Sequence, residues 1–447
     1  MTILKRKLFN KIEQAQDELR EVLDRYGSVK IDSVTVAQVI GGMRGIKSLI
    51  SDISYLDPEE GIRFRGLSIA EMIAALPKPP GQKMPYVEGL FYLLLMNEIP
   101  TENDVRQLID EFETRAAVPM YVYEVLRAMP RDTSPMTMFA TAVLAMQRES
   151  QFAEAYARGV GKRDYWETYL EDTLNLLPKL AGIGAYIYRM KYKSDTPLVR
   201  QSGLDFGASF AQQMGIKSPY DEVSRLYFCL HADHEAGNVS AHTTLLVASA
   251  LSDPYLSLSA GLNGLAGPLH GRANQEVLRW TEGLLTSLGC GIPSKEKPAT
   301  KCTLDDIERA CRDTLGSGQV IPGFGHAVLR KTDPRYTALL EFAKEHFPDY
   351  YLVIINEQLL KVVPRVLMET GKVKNPWPNV DCISGVIQSY YGVTEYDFYP
   401  VLFGIGRAFG VLANIMWNRA LGFPLERPKS VTTALLRSLA ENVSRTS

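Results

Sequence analysis

The chain has 447 residues, 46% of them hydrophobic, which is enough to bury a large core and suggests two or three domains or one domain carrying an insertion. Lys and Arg total 49 against 51 Asp and Glu, so the formal charge of -2 gives no broad electrostatic reason for nucleic-acid or membrane binding, and anionic ligands must be held by local clusters. The five cysteines, Cys229, Cys290, Cys302, Cys311 and Cys382, are odd in number and lack CxxC spacing, which argues against a disulfide framework or a zinc ribbon and favours a reducing compartment.

At the N-terminus, basic Lys5, Arg6 and Lys7 are followed at once by Glu13, Asp17, Glu18, Glu21 and Asp24, unlike a signal or transit peptide. The expected location is the cytoplasm of a bacterial-type cell, or the mitochondrial matrix if the chain is a processed form. A few short strands are expected near residues 52–64. The apolar runs at 90–96 and 245–251 fall short of the ~20 residues a membrane span needs and read as buried helices. Apolar residues three and four apart predict helical stretches within 105–126 and helices over 203–213, 304–314, 336–345, 354–363 and 432–440. Segments 241–266 and 403–420 are rich in Ala, Gly and Ser among leucines and valines. Such helices approach their neighbours closely and are expected to be surrounded on all sides, in a core or at a subunit interface. Polar IPSKEKPATK after Gly291 and proline-bounded KVKNPWPN at 372–379 mark two breaks, with a helical segment between them that reads as a smaller lobe inserted into a larger one. The fold class is therefore all-α, without internal repeats or low-complexity tracts.

Three of the six histidines, His231, His234 and His242, fall in HADHEAGNVSAHT. His231 and His234 could share a helix face, yet the string is neither HExxH nor HxxEH and offers no third ligand at a characteristic spacing, so hydrogen-bonded core histidines are the better reading than a metal site. His270 sits in GLAGPLHGRANQE, where Gly267 and Pro268 break one helix and another is expected to start near Arg272. The positive end of that helix would keep the ring neutral and able to donate to an oxygen gaining negative character; a capping or loop histidine is the competing reading.

His326 lies in GSGQVIPGFGHAVLRKTDPR, among Gly316, Gly318, Gly323 and Gly325 and beside Arg330, Lys331 and Arg335. Glycines let the backbone approach a ligand and the bases supply countercharge, although a solvated turn has the same composition. Asp381 enters an apolar helix start after NPWPNV and reads either as a helix cap or as a carboxylate base. At the ordinary carboxylate pKa of ~3.9 such a base needs a separate donor to stabilise the enolate, which points to His270. Arg407, in FGIGRAFG, is too costly to bury without an anionic partner, be it a salt bridge or a ligand, and Arg427 in FPLERPKS completes the set.

Together HADHEAGNVSAHT, GLAGPLHGRANQE, VIPGFGHAVLRKTDPRY, NVDCISGVIQSYYG and GRAFGVLANIMWNRALGFPLERPKS, in this order and spacing, resemble the citrate synthase family, closest to its mitochondrial-type branch. GGMRGIKSLISDISYLDPEEGIRFRGLSI is similar to that family's N-terminal signature, and the likeness runs from about residue 36 to 430. It implies an acyltransferase of the citrate (Si)-synthase type that condenses acetyl-CoA with oxaloacetate and water. In that scheme His270 bonds the thioester oxygen, Asp381 removes a methyl proton and His326 polarises the ketone. His234, Arg335, Arg407 and, across a homodimer, Arg427 hold carboxylates. Val320, Ile321, Gly323 and Gly325 form an adenine-binding loop, with Arg44, Arg330 and Lys374 as its phosphate or nucleotide partners and Arg163, from the other subunit, as a further candidate. No metal or redox cofactor is implied, and no nucleic-acid or membrane partner. The resemblance further implies a large domain of residues 1–275 and 387–447 and a small domain of 276–386 that closes on oxaloacetate. Cys382 departs from the family pattern, leaving a redox or a packing role, and the first thirty residues match poorly. Two other functions stay open: 2-methylcitrate synthase, acting on propionyl-CoA, and a non-catalytic scaffold with the same fold.

Overall fold

Two long helices set the frame: Tyr165–Tyr192, of 28 residues, and Tyr399–Ala420, of 22, which pack against each other through the middle of the molecule. The computed structural model describes residues 3–193, 198–290, 302–371 and 373–446, and among them holds twenty α-helices and one three-stranded antiparallel sheet. The strands are Ser54–Asp57, Gly61–Phe64 and Leu67–Ser68, with Leu56 opposite Ile62, so the expected strand region is a small ribbon beside the helices.

The helices form where periodicity and caps agree. Residues 105–126 resolve into Glu102–Arg115 and Met120–Ala128, because Pro119 cannot donate to a continuing helix. Thr101 with Asp104, and Thr303 with Asp306, make reciprocal capping boxes at Glu102–Arg115 and Leu304–Gly316. The remaining predicted helices appear as Phe206–Met214, Pro334–His346, Tyr351–Glu369 and Thr433–Thr446. The apolar run at 90–96 lies in Val87–Met96, every residue of which is buried.

Of the two small-residue segments expected to be surrounded on all sides, 403–420 is, whereas helix Val239–Ser249 in the other leaves Leu246 40% exposed. Every residue of Tyr399–Ala420 is buried, and a Cβ at Gly410 would stand 2.4 Å from the Ala232 carbonyl oxygen, so only glycine lets this helix press against the 232–233 turn. Over 396–420 the chain is long and apolar enough to cross a membrane, a stretch that the sequence reading passed over. It is wholly enclosed by other helices, as a core helix is.

One expectation needs adjusting. Cys290 and Cys302 are disulfide-bonded, with Cα atoms 6.2 Å apart, contrary to the expectation of free thiols throughout. Helices Ala273–Ser287 and Leu304–Gly316 pack into one apolar cluster that also buries Cys311, and this packing, which no spacing rule encodes, brings the two sulfurs together. Cys229, Cys311 and Cys382 are free and buried. The IPSKEKPATK connection and Lys372 lie outside the described residues.

The main core runs through most of the helices, while Leu284, Leu285, Ile307, Ile321, Leu359, Val363 and their neighbours form a second cluster. Beside the main core, Glu88 is fully buried, its Oε1 accepting from the Phe206 amide at 2.7 Å. Next to it Asp205 pairs with Arg225 at 2.7 Å.

Candidate active site

Arg407 comes from the buried interior of Tyr399–Ala420 and is 2% exposed. Its Nε donates to the His231 carbonyl at 3.2 Å, and its Nη1 donates to Asn238 Oδ1 at 2.9 Å and Ser240 Oγ at 3.1 Å, with the Phe403 ring 4.8 Å away. Burial lowers its pKa to about 10, so the cation persists at neutral pH. These neutral partners replace the salt bridge considered from sequence; among the described residues none of its hydrogen bonds is to a carboxylate.

His270 lies in the turn between Pro254–Leu265 and Ala273–Ser287, which starts directly after Arg272 as expected. The helix end that meets its ring is a different one. Ser240, in the first turn of Val239–Ser249, donates its backbone N–H to His270 Nε2 at 3.2 Å, and its hydroxyl lies 2.9 Å from the same nitrogen. A ring nitrogen that accepts from an amide carries no proton, so the hydrogen sits on Nδ1. Burial first, and Arg407 second, lower the His270 pKa to about 4. The ring is neutral, as foreseen, but for a reason the sequence did not place.

His326 is held the opposite way round. Its Nδ1 accepts from the amides of Val328 and Leu329, both at 3.0 Å, which leaves the proton on Nε2, and burial lowers its pKa to about 4. The preceding loop is drawn onto the start of helix Asp381–Tyr390. Gly323 has φ +81°, and a Cβ there would come within 3.0 Å of the Cys382 Cα. Gly325 N donates to the Trp377 carbonyl at 2.9 Å, and Asn379 Nδ2 donates to the Gly325 carbonyl at 3.0 Å.

Asp333 ties these pieces together. It caps Pro334–His346 by accepting from the Arg335 amide, grips the Arg335 guanidinium at 2.7 Å, and accepts from the Val380 amide at 3.3 Å. Arg335 is thereby fixed and buried next to Asp381, the first residue of its helix. Desolvation raises the Asp381 pKa to about 6, opposed by Arg335 and aided by Asp333. It is therefore a stronger base than the ordinary aspartate assumed from sequence.

His234 completes the cluster, its ring 5.5 Å from that of His326. Its buried Nε2 has no hydrogen-bond partner among the described residues, and burial together with Arg335, His326, Arg407 and His270 holds its pKa well below normal. His231 ends the helix Tyr220–His231, whereas His234 lies in the turn beyond it, so the two do not share a helix face. His231 is a core residue: its Nδ1 lies 2.8 Å from the Tyr227 carbonyl. His242 pairs with Glu426 at 2.6 Å.

His234, His270, His326, Arg335 and Arg407 thus form one cluster, the other four all acting electrostatically on the His234 ring, and Asp381 adjoins it through Arg335. Arg44, Arg163, Lys374 and Arg427 are exposed, and among the described residues none forms a hydrogen bond or ion pair with that cluster. Val320 is exposed and Ile321 buried, while Arg330 Nη1 donates to the carbonyls of Val328 and Leu329 at 2.7 and 2.9 Å. Cys382 has a packing role: its thiol is buried with a pKa pushed up to about 12, and Asn356 donates to its carbonyl at 2.7 Å. Sequence reasoning missed Asn238, Ser240 and Asp333, although all three lay inside the quoted motifs. An Asn two residues before a Ser at a helix start, and an Asp before a Pro, were the available signals.

Two uncharged imidazoles with opposite tautomers, a carboxyl of raised proton affinity and two buried guanidiniums define an enzyme centre for proton chemistry beside anionic carbonyl compounds. The model of the citrate synthase C-terminal domain matches residues 42–429. Mitochondrial citrate synthase of Xiphias gladius is 50% identical over 98% of this chain and 92% of its own. Mitochondrial 2-methylcitrate synthase of Yarrowia lipolytica is 50% identical over 96% and 91%. The solved citrate synthase of Thermoplasma acidophilum, a ternary complex with carboxymethyl coenzyme A and oxaloacetate, superposes with a TM-score of 0.73 at 21% identity over 90% and 97%. The chain belongs to the citrate synthase family. It is an acyltransferase whose reaction condenses acetyl-CoA with oxaloacetate and water to citrate and CoA.

Proposed function

We propose that citrate forms here through an enol generated between Asp381 and His270. Asp381 takes a proton from the acetyl methyl group while Nδ1–H of His270 donates to the thioester oxygen, where the electron pair gathers. His326 donates from Nε2 to the oxaloacetate ketone, the enol carbon attacks the ketone carbon, and water then cleaves citryl-CoA, with the thiol leaving as CoA. His234, Arg335, Arg407 and the partner's Arg427 hold the carboxylates. The observation that carries this reading is that backbone amides occupy one nitrogen of each imidazole, leaving the other as an uncharged donor.

CoA is assigned to the loop of Val320, Ile321, Gly323 and Gly325, with Arg330, Lys374, Arg44 and, from a second copy, the partner's Arg163. The side chains assigned to each step need neither metal nor redox cofactor. Residues 276–386 form the smaller domain, which the separate apolar cluster between Leu284 and Leu367 supports. A homodimer is supported by apolar side chains left exposed on one chain: Val239 and Leu246 on one helix, and Leu435, Leu439 and Val443 along the C-terminal helix. The names of the relatives favour a mitochondrial location over a cytoplasmic one.

The Yarrowia relative keeps a second acyl substrate in view, since one methylene is worth only about 1–3 kcal/mol of discrimination. Thiol release measured with oxaloacetate and either acetyl-CoA or propionyl-CoA tests the choice. Acetyl-CoA is expected to have the higher kcat/KM, and a higher value for propionyl-CoA reverses the assignment.

A further inference from the structure

Helix Val239–Ser249 has two working faces. At about 100° per residue, Ser240 lies roughly 180–200° around the axis from His242 and Ser249, which are seven positions apart and share a face. Ser240 meets His270 and Arg407. On the opposite face, the C-terminal arm is fastened at one residue: the Glu426 amide donates to Ser249 Oγ at 3.0 Å, and Glu426 Oε1 lies 2.6 Å from His242 Nε2. The next residue, Arg427, is exposed and makes no hydrogen bond or ion pair among the described residues.

We infer that His242 and Ser249 form a latch that fixes Glu426 so that Arg427 is presented, away from its own chain's cluster, to the carboxylate-binding centre of a second copy. His242 is then a positioning residue, acting on substrate only through Arg427, and this rests on the reading of Arg427 proposed above. The helix lies between the arm and its own Ser240–His270–Arg407 face, so an arm held at Glu426 faces outward. Two anchors, one on the backbone and one on the side chain, fix both the place and the turn of the arm. Without them, ordering a long arginine side chain on an irregular segment carries the full conformational cost at each binding event.

The test is steady-state kinetics with each substrate varied, alongside the dimer mass in solution. His242→Ala is expected to raise KM for oxaloacetate about tenfold, with KM for acetyl-CoA and the dimer mass unchanged. His242→Gln, whose amide still donates to Glu426, should stay within about twofold of the parent. Glu426→Ala should reproduce the His242→Ala effect, and the double variant should add little to either, as coupled partners do. If His242→Ala fails to fold, Glu426→Ala and the Ser249→Ala variant carry the same expectation. An unchanged oxaloacetate KM in the latch variants, with Arg427→Gln raising it, overturns the latch and leaves the role of Arg427 standing. An unchanged KM in Arg427→Gln itself overturns both.

Discussion

Ser240 holds two members of the centre at once: its amide donates to His270 Nε2 at 3.2 Å, and its hydroxyl accepts from Arg407 Nη1 at 3.1 Å. One residue at a helix N-terminus therefore fixes the tautomer of the proposed enol-stabilising ring and orients a proposed carboxylate ligand. Hydrogen bonds involving a charged group contribute about 1.5–3 kcal/mol. Ser240→Ala keeps the amide bond but loses the hydroxyl, so kcat/KM for oxaloacetate should fall tenfold to a hundredfold while the thermal midpoint moves little. Parent-like kinetics would remove the hydroxyl from the site's working parts.

The proton affinity of Asp381 sets a pH limit. A base works only when ionised, and burial places its pKa at about 6, while His270 and His326 stay neutral down to about 4. Turnover should fall as pH drops through about 6, and Asp381→Asn should lose about 10²–10⁴ in kcat while still binding oxaloacetate by calorimetry. An acid limb centred near 4, or turnover by the Asn variant, would contradict the assignment.

Arg427 is expected to act across the dimer, which mixed subunits can show. Chains carrying Arg427→Gln and chains carrying Asp381→Asn should each be nearly inactive alone. Refolded together, they create one site with an intact Asp381 and the partner's Arg427, so activity should return. Continued inactivity, with mixed dimers present by mass, places Arg427 in its own chain's site.

Glu88 makes a stability prediction. Burial and the neighbouring Asp205 charge raise its pKa well above the ordinary 4.5, so the folded chain holds a proton that the unfolded chain releases above that pH. Its contribution to stability therefore falls as pH rises from about 4.5. Glu88→Gln keeps an acceptor for the Phe206 amide and cannot ionise, so its thermal midpoint should decline less than the parent's between pH 5 and 8. Equal declines would show that Glu88 does not hold that proton.

Much was legible before folding. Residue periodicity, capping pairs such as Thr303 with Asp306, and the small-residue segment 403–420 determined a helical protein with a fully enclosed helix, because these signals act within a few residues. The five ordered motifs pointed to His270, His326 and Asp381 as candidates by residue type, since condensing at a methyl carbon needs a base and uncharged donors. Only the tertiary structure decided that the amide of Ser240, thirty positions from His270, fixes that ring, that Asp333 joins Arg335 to the Asp381 helix, and that Cys290 bonds Cys302. It also decided that burial raises the proton affinity of the Asp381 carboxyl. Those outcomes depend on which distant groups share a desolvated volume, and desolvation and long-range hydrogen bonds leave no periodic trace along the chain.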